Sequence, residues 1–131
     1  MKRRDFDVDG YAKFLKEKSI EDFEFAKRML KWQKMGYCLF WAHAALQKTM
    51  AVIICKETRK MPPWRKDLTR LARLANVELT KDQRELCKIL NFYHVEGLYL
   101  GLQYPEPPKK EAKELLFRAK EFASLLPPLA E

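Results

Sequence analysis

The sequence predicts an all-α protein, and three observations carry that prediction. Apolar residues recur at helical spacing along most of the chain, strand-like alternation is absent, and Pro- or Gly-marked breaks separate long helical runs. Long helices joined by short connectors pack as an antiparallel up-and-down bundle, here of four long helices plus one short helix. A chain of 131 residues holds one domain, with its core at about 9–126 and flexible residues at 1–8.

The first helix is expected from about Asp9 to Met35, with Tyr11, Phe14, Leu15, Phe23, Ala26 and Leu30 on its apolar face. Ser19-Ile20-Glu21-Asp22 has the form of a capping box, so a kink or restart is expected there. Gly36 reads as the break before a central helix over residues 37–55, ending near Thr58. That helix is apolar all round, with Tyr37, Phe40, Trp41, Ala44, Ala51, Val52 and Cys55 on one side. Leu39, His43, Leu46, Met50, Ile53 and Ile54 lie on the other. A helix of this kind must be covered from several sides. Met61-Pro62-Pro63-Trp64 is a rigid connector, and Asp67 is a good N-cap for a short helix bearing Leu68, Leu71, Ala72 and Ala75. Thr80 and Gln83 form a second capping box, opening a helix whose stripe is Leu86, Ile89, Leu90, Tyr93, Gly97 and Leu100. After Tyr104-Pro105-Glu106-Pro107-Pro108, the last helix carries Ala112, Leu115, Leu116, Ala119, Ala123 and Leu126 and stops at Pro127-Pro128.

Composition narrows the function classes. No run of eighteen apolar residues occurs and the N-terminus lacks an apolar signal region, so no membrane partner and a cytoplasmic location are expected. Cys38, Cys55 and Cys87 lie far apart in apolar helical sequence, which reads as reduced core thiols rather than a disulfide framework or zinc site. No metal, no cofactor and no phosphate-cradling glycine loop is expected. The net charge is +8, and residues 48–73 alone supply +6, from eight basic and two acidic residues. Such a block suits a partner bearing phosphates, with Trp64 as a stacking platform; a solvated helix end and loop would have the same composition.

Two side chains stand out chemically. Lys48 falls in the middle of an apolar stripe, between Ala44 and Ala51. A buried ammonium needs a partner, so it either meets a carboxylate (Asp22 and Glu96 are candidates) or points into a cleft and holds an anion. His94 flanks the main stripe of its helix beside Cys87 and Leu98, either as a satisfied histidine or as a phosphate contact. Apolar residues beyond one stripe, Leu39, Leu46, Met50 and Ile53 on one helix and Val95, Leu98, Tyr99 and Leu102 on another, predict a homodimer.

Ala44-Ala45-Leu46-Gln47-Lys48, the Lys66-Asp67-Leu68 helix start and Gln103-Tyr104-Pro105 together resemble the HEPN domain, over roughly residues 11–126. The family pattern Gln-Ala-x-Glu-Lys is matched here in its Ala and Lys, and the family's Arg-Tyr-Pro reads Gln103-Tyr104-Pro105. The resemblance implies a small helical module of the prokaryotic stand-alone type that binds nucleotide or RNA. It also implies a minimal nucleotidyltransferase partner in a toxin–antitoxin-like pair; in some such pairs the partner modifies a Tyr of the HEPN protein. The expected ligand-binding residues are Lys48, Arg65, Lys66, Arg70, His94, Gln103 and Tyr104.

Ribonuclease members of the family carry Arg, four to six residues, then His, so that an imidazole moves protons while an Arg stabilises charge. Here the nearest Arg before His94 is Arg84, ten positions back. At that separation it lies about 80° round the helix and about 15 Å along it. His43 has only Arg28, on a different helix. No catalytic residue is therefore assigned. Two alternatives to the binding module stand: a ribonuclease toxin built on an unrecognised His94 or His43 arrangement, and a dimeric interaction protein without ligand.

Overall fold

A computed structural model describes residues 6–96 and 106–130, and these are all-helical. Six helices follow one another: α1 (Val8–Lys31), α2 (Met35–Thr58), α3 (Leu68–Leu74), α4 (Lys81–Glu96), α5 (Lys109–Leu125) and α6 (Pro127–Ala130). The last of these was not expected; a single short turn begins at the proline pair that was to end the chain's helices.

Local chemistry sets most boundaries. The Asp7 carboxylate accepts from the Gly10 backbone N–H at 3.0 Å to start α1. A Cβ at Gly10 would fall 2.2 Å from an Asp7 carboxylate oxygen, so a larger residue there would turn the carboxylate aside. Asp67 caps α3 through the Thr69 N–H. Thr80 and Gln83 exchange side-chain-to-backbone bonds of 3.0 and 3.1 Å, the predicted capping box of α4.

Two sequence expectations about α1 and α2 are corrected. The break falls at Gln33, not Gly36. Gln33 takes a left-handed conformation (φ 62°), and the Lys34 N–H reaches back to the Met29 carbonyl at 2.8 Å, closing a Schellman motif. Gly36 lies within α2 and is buried. Nor does Ser19 restart α1, which runs through it unbroken. The Ser19 hydroxyl is turned inward against α2, 2.9 Å from the Ala45 carbonyl and 2.6 Å from the Thr49 hydroxyl, which is itself 2.8 Å from that carbonyl. With one proton each, one hydroxyl donates to the carbonyl and the other to its neighbour.

The core is organised round α2, which packs against α1, α3, α4, α5 and α6. Residues 42–46 and 49–55 are two unbroken buried runs. One side of α2 joins Leu39, Leu46, Met50 and Ile54 to Leu71, Leu86, Leu90, Leu115 and Phe122. The other joins Ala51, Val52 and Cys55 to Val8, Ala12 and Leu15 of α1. Each fully buried leucine contributes about 2 kcal/mol through area removed from water. By length and composition α2 could also cross a bilayer, but here protein covers it. Leu39, Leu46, Met50 and Ile53 all point into this core, so they supply no dimer surface, against the sequence reading. The side chains of Val95, Leu98, Tyr99 and Leu102 lie outside what is described.

Lys48 meets Asp22 of α1 at 2.5 Å, settling its pairing in favour of the carboxylate. Asp22 is nearly enclosed, whereas Lys48 keeps about a quarter of its side chain exposed (5% against 23%). Burial pushes the Asp22 carboxyl upward and the Lys48 hydrogen bond opposes that shift. The loss of either partner should therefore be unequal: lysine can turn to water, the carboxylate cannot. Lys48→Met is expected to cost about 3 kcal/mol at pH 7, more than Asp22→Asn, with the double change Asp22→Leu/Lys48→Met recovering most of it. Urea midpoints for the three variants check this; an unshifted midpoint in Lys48→Met would contradict it.

Candidate functional site

His43 occupies the middle of α2 and is fully buried. Its Nε2 lies 2.7 Å from the Lys66 carbonyl oxygen and 3.3 Å from the Asn91 Oδ1. Both partners are acceptors, so Nε2 carries the proton and donates, leaving Nδ1 with a bare lone pair. One turn on, the Gln47 amide donates to the Arg65 carbonyl at 2.8 Å. Two side chains four residues apart on one helix face thus hold two successive carbonyls of the connector between α2 and α3.

The same connector is held from α4. Asn91 Oδ1 accepts from the Leu68 backbone N–H at 2.9 Å, and its amide donates to Asp67 Oδ1 at 2.9 Å. Asp67 also accepts from the Thr69 hydroxyl at 2.7 Å. These bonds, led by that from Thr69, hold its carboxyl below the usual carboxylate range. The outcome is a connector fixed at Arg65, Lys66 and Asp67, with the Arg65 and Lys66 side chains exposed.

His94, three residues after Asn91 on α4, brings its ring to 4.3 Å from that of His43, tilted by 38°. The Phe40 ring lies nearly parallel to it at 5.6 Å. Nδ1 of His43 and Nδ1 of His94 are buried without a hydrogen-bond partner among the described residues. Burial, then the neighbouring His94, pushes His43 down to about 4. Burial, then the Lys66 ammonium, lowers His94 as well. Lys48 also bears on His43. Two neutral imidazoles therefore sit among cations.

Of the residues expected to bind a ligand, the structure brings together His94, Lys66 and, through His43, Lys48. Arg65 is adjacent on the pinned connector. Arg70 is exposed on α3, four residues on from Lys66, and its backbone N–H helps to hold the Asp67 carboxylate. Gln103 and Tyr104 lie outside the described residues, and Trp64 is half-exposed beside Arg65. Sequence reasoning missed His43, Gln47 and Asn91 as partners in one network. The available signal was polarity at three positions otherwise flanked by core residues. Burial raises all three thiols, Cys38 and Cys87 to about 12, which leaves them inert as nucleophiles. Among the described residues, no three metal-ligating side chains come together.

The arrangement suits anion binding better than acid–base catalysis: the only imidazole near His94 is sealed and its donor nitrogen is engaged. Its neutrality also makes a pH signature. A histidine lowered in the folded state contributes fully above its unfolded value, 6.5, and that contribution is lost as pH falls from there to about 4. His43 should remove up to about 1.4 kcal/mol of stability per pH unit within that window. In His43→Gln, whose amide can still donate to the Lys66 carbonyl, urea midpoints between pH 4.5 and 7 should fall less steeply than in wild type. Equal slopes would show that His43 is not buried neutral.

A family model of the HEPN domain matches residues 12–127, from the first turns of α1 to the start of α6. No curated protein and no solved structure matches the chain. The match takes in α2, the pinned connector and α4, which together carry the histidine pair. It ties the chain to nucleotide- or RNA-related function. By a match that covers nearly its whole length, the chain belongs to the HEPN domain family.

Proposed function

We propose that this HEPN protein binds the phosphates of a nucleotide or RNA through Arg65, Lys66 and Arg70, beside His94. The observation that carries the reading is the connector itself: His43, Gln47 and Asn91 immobilise the backbone from which Arg65 and Lys66 project. A fixed backbone lowers the ordering cost of a multi-phosphate contact, and Trp64 beside it is available for stacking. Lys48, held by Asp22, acts on the site as a nearby charge rather than as a free ligand.

In the cell the reading places the protein in the cytoplasm, as a homodimer, working with a minimal nucleotidyltransferase in a toxin–antitoxin-like pair. The dimer is supported by Ile89 and Phe92, both exposed and three residues apart on α4. A ribonuclease reading gains from the closeness of His43 and His94. It loses from the burial of His43, which keeps that ring from touching a substrate, and from Arg84 standing ten positions before His94.

A single binding experiment tests these parts. A fluorescent single-stranded RNA titrated with the protein, with EDTA present, should bind with strong salt dependence. Arg65→Gln/Lys66→Gln/Arg70→Gln should lose at least about tenfold in affinity and about 2 in the slope of log K against log salt, with the helical circular dichroism unchanged. Unaltered affinity would make the basic block a solvated face. RNA shortened by wild type and spared by His94→Ala would favour the ribonuclease. Light scattering on the same sample should read twice the chain mass; 15.6 kDa would overturn the dimer.

A further inference from the structure

We propose that the phosphate site is proton-linked: an RNA phosphate binding beside Lys66 is accompanied by proton uptake onto the His94 imidazole. This rests on the phosphate-binding reading above and adds to it how the site is regulated.

The geometry points to His94 rather than to any other group. Its ring lies against the Phe40 and His43 rings, at 5.6 and 4.3 Å, and beside the Lys66 ammonium. Its Nδ1 is buried and unpartnered among the described residues, and so is Nδ1 of His43. The His43 nitrogen is a bare acceptor because its Nε2–H is committed to the Lys66 carbonyl. A proton added to His94 therefore has an acceptor-bearing ring beside it, whereas one added to His43 would have to be buried outright.

The charged groups facing the pair are few. From the connector comes Lys66, which acts on His94. From α2 come His43 itself and Lys48, the latter neutralised by Asp22 of α1. On α4, Asn91 is neutral and bonded to Asp67, whose charge is already shared among Thr69, Leu68's neighbour Asn91 and the start of α3. Lys66 is thus the one facing cation without an ion-pair partner among the described residues, and it is what holds His94 neutral beyond the effect of burial. An anion seated on Lys66 cancels that repulsion and supplies attraction, which favours imidazolium. Linkage then requires the reverse: protonation of His94 tightens anion binding by the same factor.

The test is calorimetric titration with a short 5′-hydroxyl oligouridylate, whose phosphodiesters do not titrate in the range used, in two buffers of different ionisation enthalpy between pH 6 and 8. Wild type should take up a measurable fraction of a proton per site, larger toward pH 6 than toward pH 8. Its affinity should rise up to tenfold for each pH unit lowered below neutrality. In His94→Asn the proton uptake should vanish and the affinity should become flat with pH. In His43→Gln, which retains the bond to the Lys66 carbonyl, uptake should persist in altered amount. Binding by wild type without proton uptake would overturn the inference and leave the phosphate reading intact, as would uptake surviving unchanged in His94→Asn. No binding at any pH would instead overturn the phosphate reading itself.

Discussion

Every polar side chain carried into a covered helix must find a partner there, and on α2 that requirement shapes the rest of the molecule. Thr49 resolves it locally, with Ser19 and the Ala45 carbonyl. Lys48 resolves it across to α1 through Asp22. His43 and Gln47 resolve it outward, by donating to consecutive carbonyls of the connector that follows the same helix. The last solution has the largest structural consequence. An unmade hydrogen bond at a buried histidine costs about 1–3 kcal/mol, so the bond from His43 holds the connector against α2.

The proposed phosphate site draws on that constraint. Lysine and arginine on a free loop lose side-chain and backbone freedom on binding, which offsets much of their attraction for phosphate. Here the backbone has already been ordered by folding, through His43, Gln47 and Asn91. The side chains of Arg65 and Lys66 stay exposed while their carbonyls are engaged in hydrogen bonds. His94 then sits where α4 passes the pinned segment, which gives a cationic surface one titratable neighbour.

Much of the fold was legible because it follows from local rules. The Asp67 cap, the Thr80–Gln83 box and the buried character of α2 each depend on a few neighbouring residues. The ambiguity at Lys48 narrowed to two carboxylates because a buried ammonium has few solutions. What was not legible depended on the path of the chain. Gly36 permits a break without compelling one, and the left-handed turn went to Gln33, where the Met29 carbonyl could be satisfied. Ser19 has the pattern of a cap but lies opposite Ala45, where α1 and α2 approach closely. A helix apolar on all sides does not announce how many of its sides its own chain covers, so the sequence reading gives Leu39, Leu46, Met50 and Ile53 to a dimer surface, whereas they are buried in the core. The His43–Lys66 bond joins a side chain to a backbone carbonyl 23 positions away, and no residue type marks a carbonyl.

The central claim is that a neutral His43 holds the connector through Nε2–H. Long-range proton–nitrogen correlation spectra of the two imidazoles test it most directly, since they report both tautomer and charge. The structure predicts His43 as the neutral Nε2–H form at pH 6, with Nδ1 unprotonated. A charged ring at that pH, or the Nδ1–H tautomer, would contradict the account.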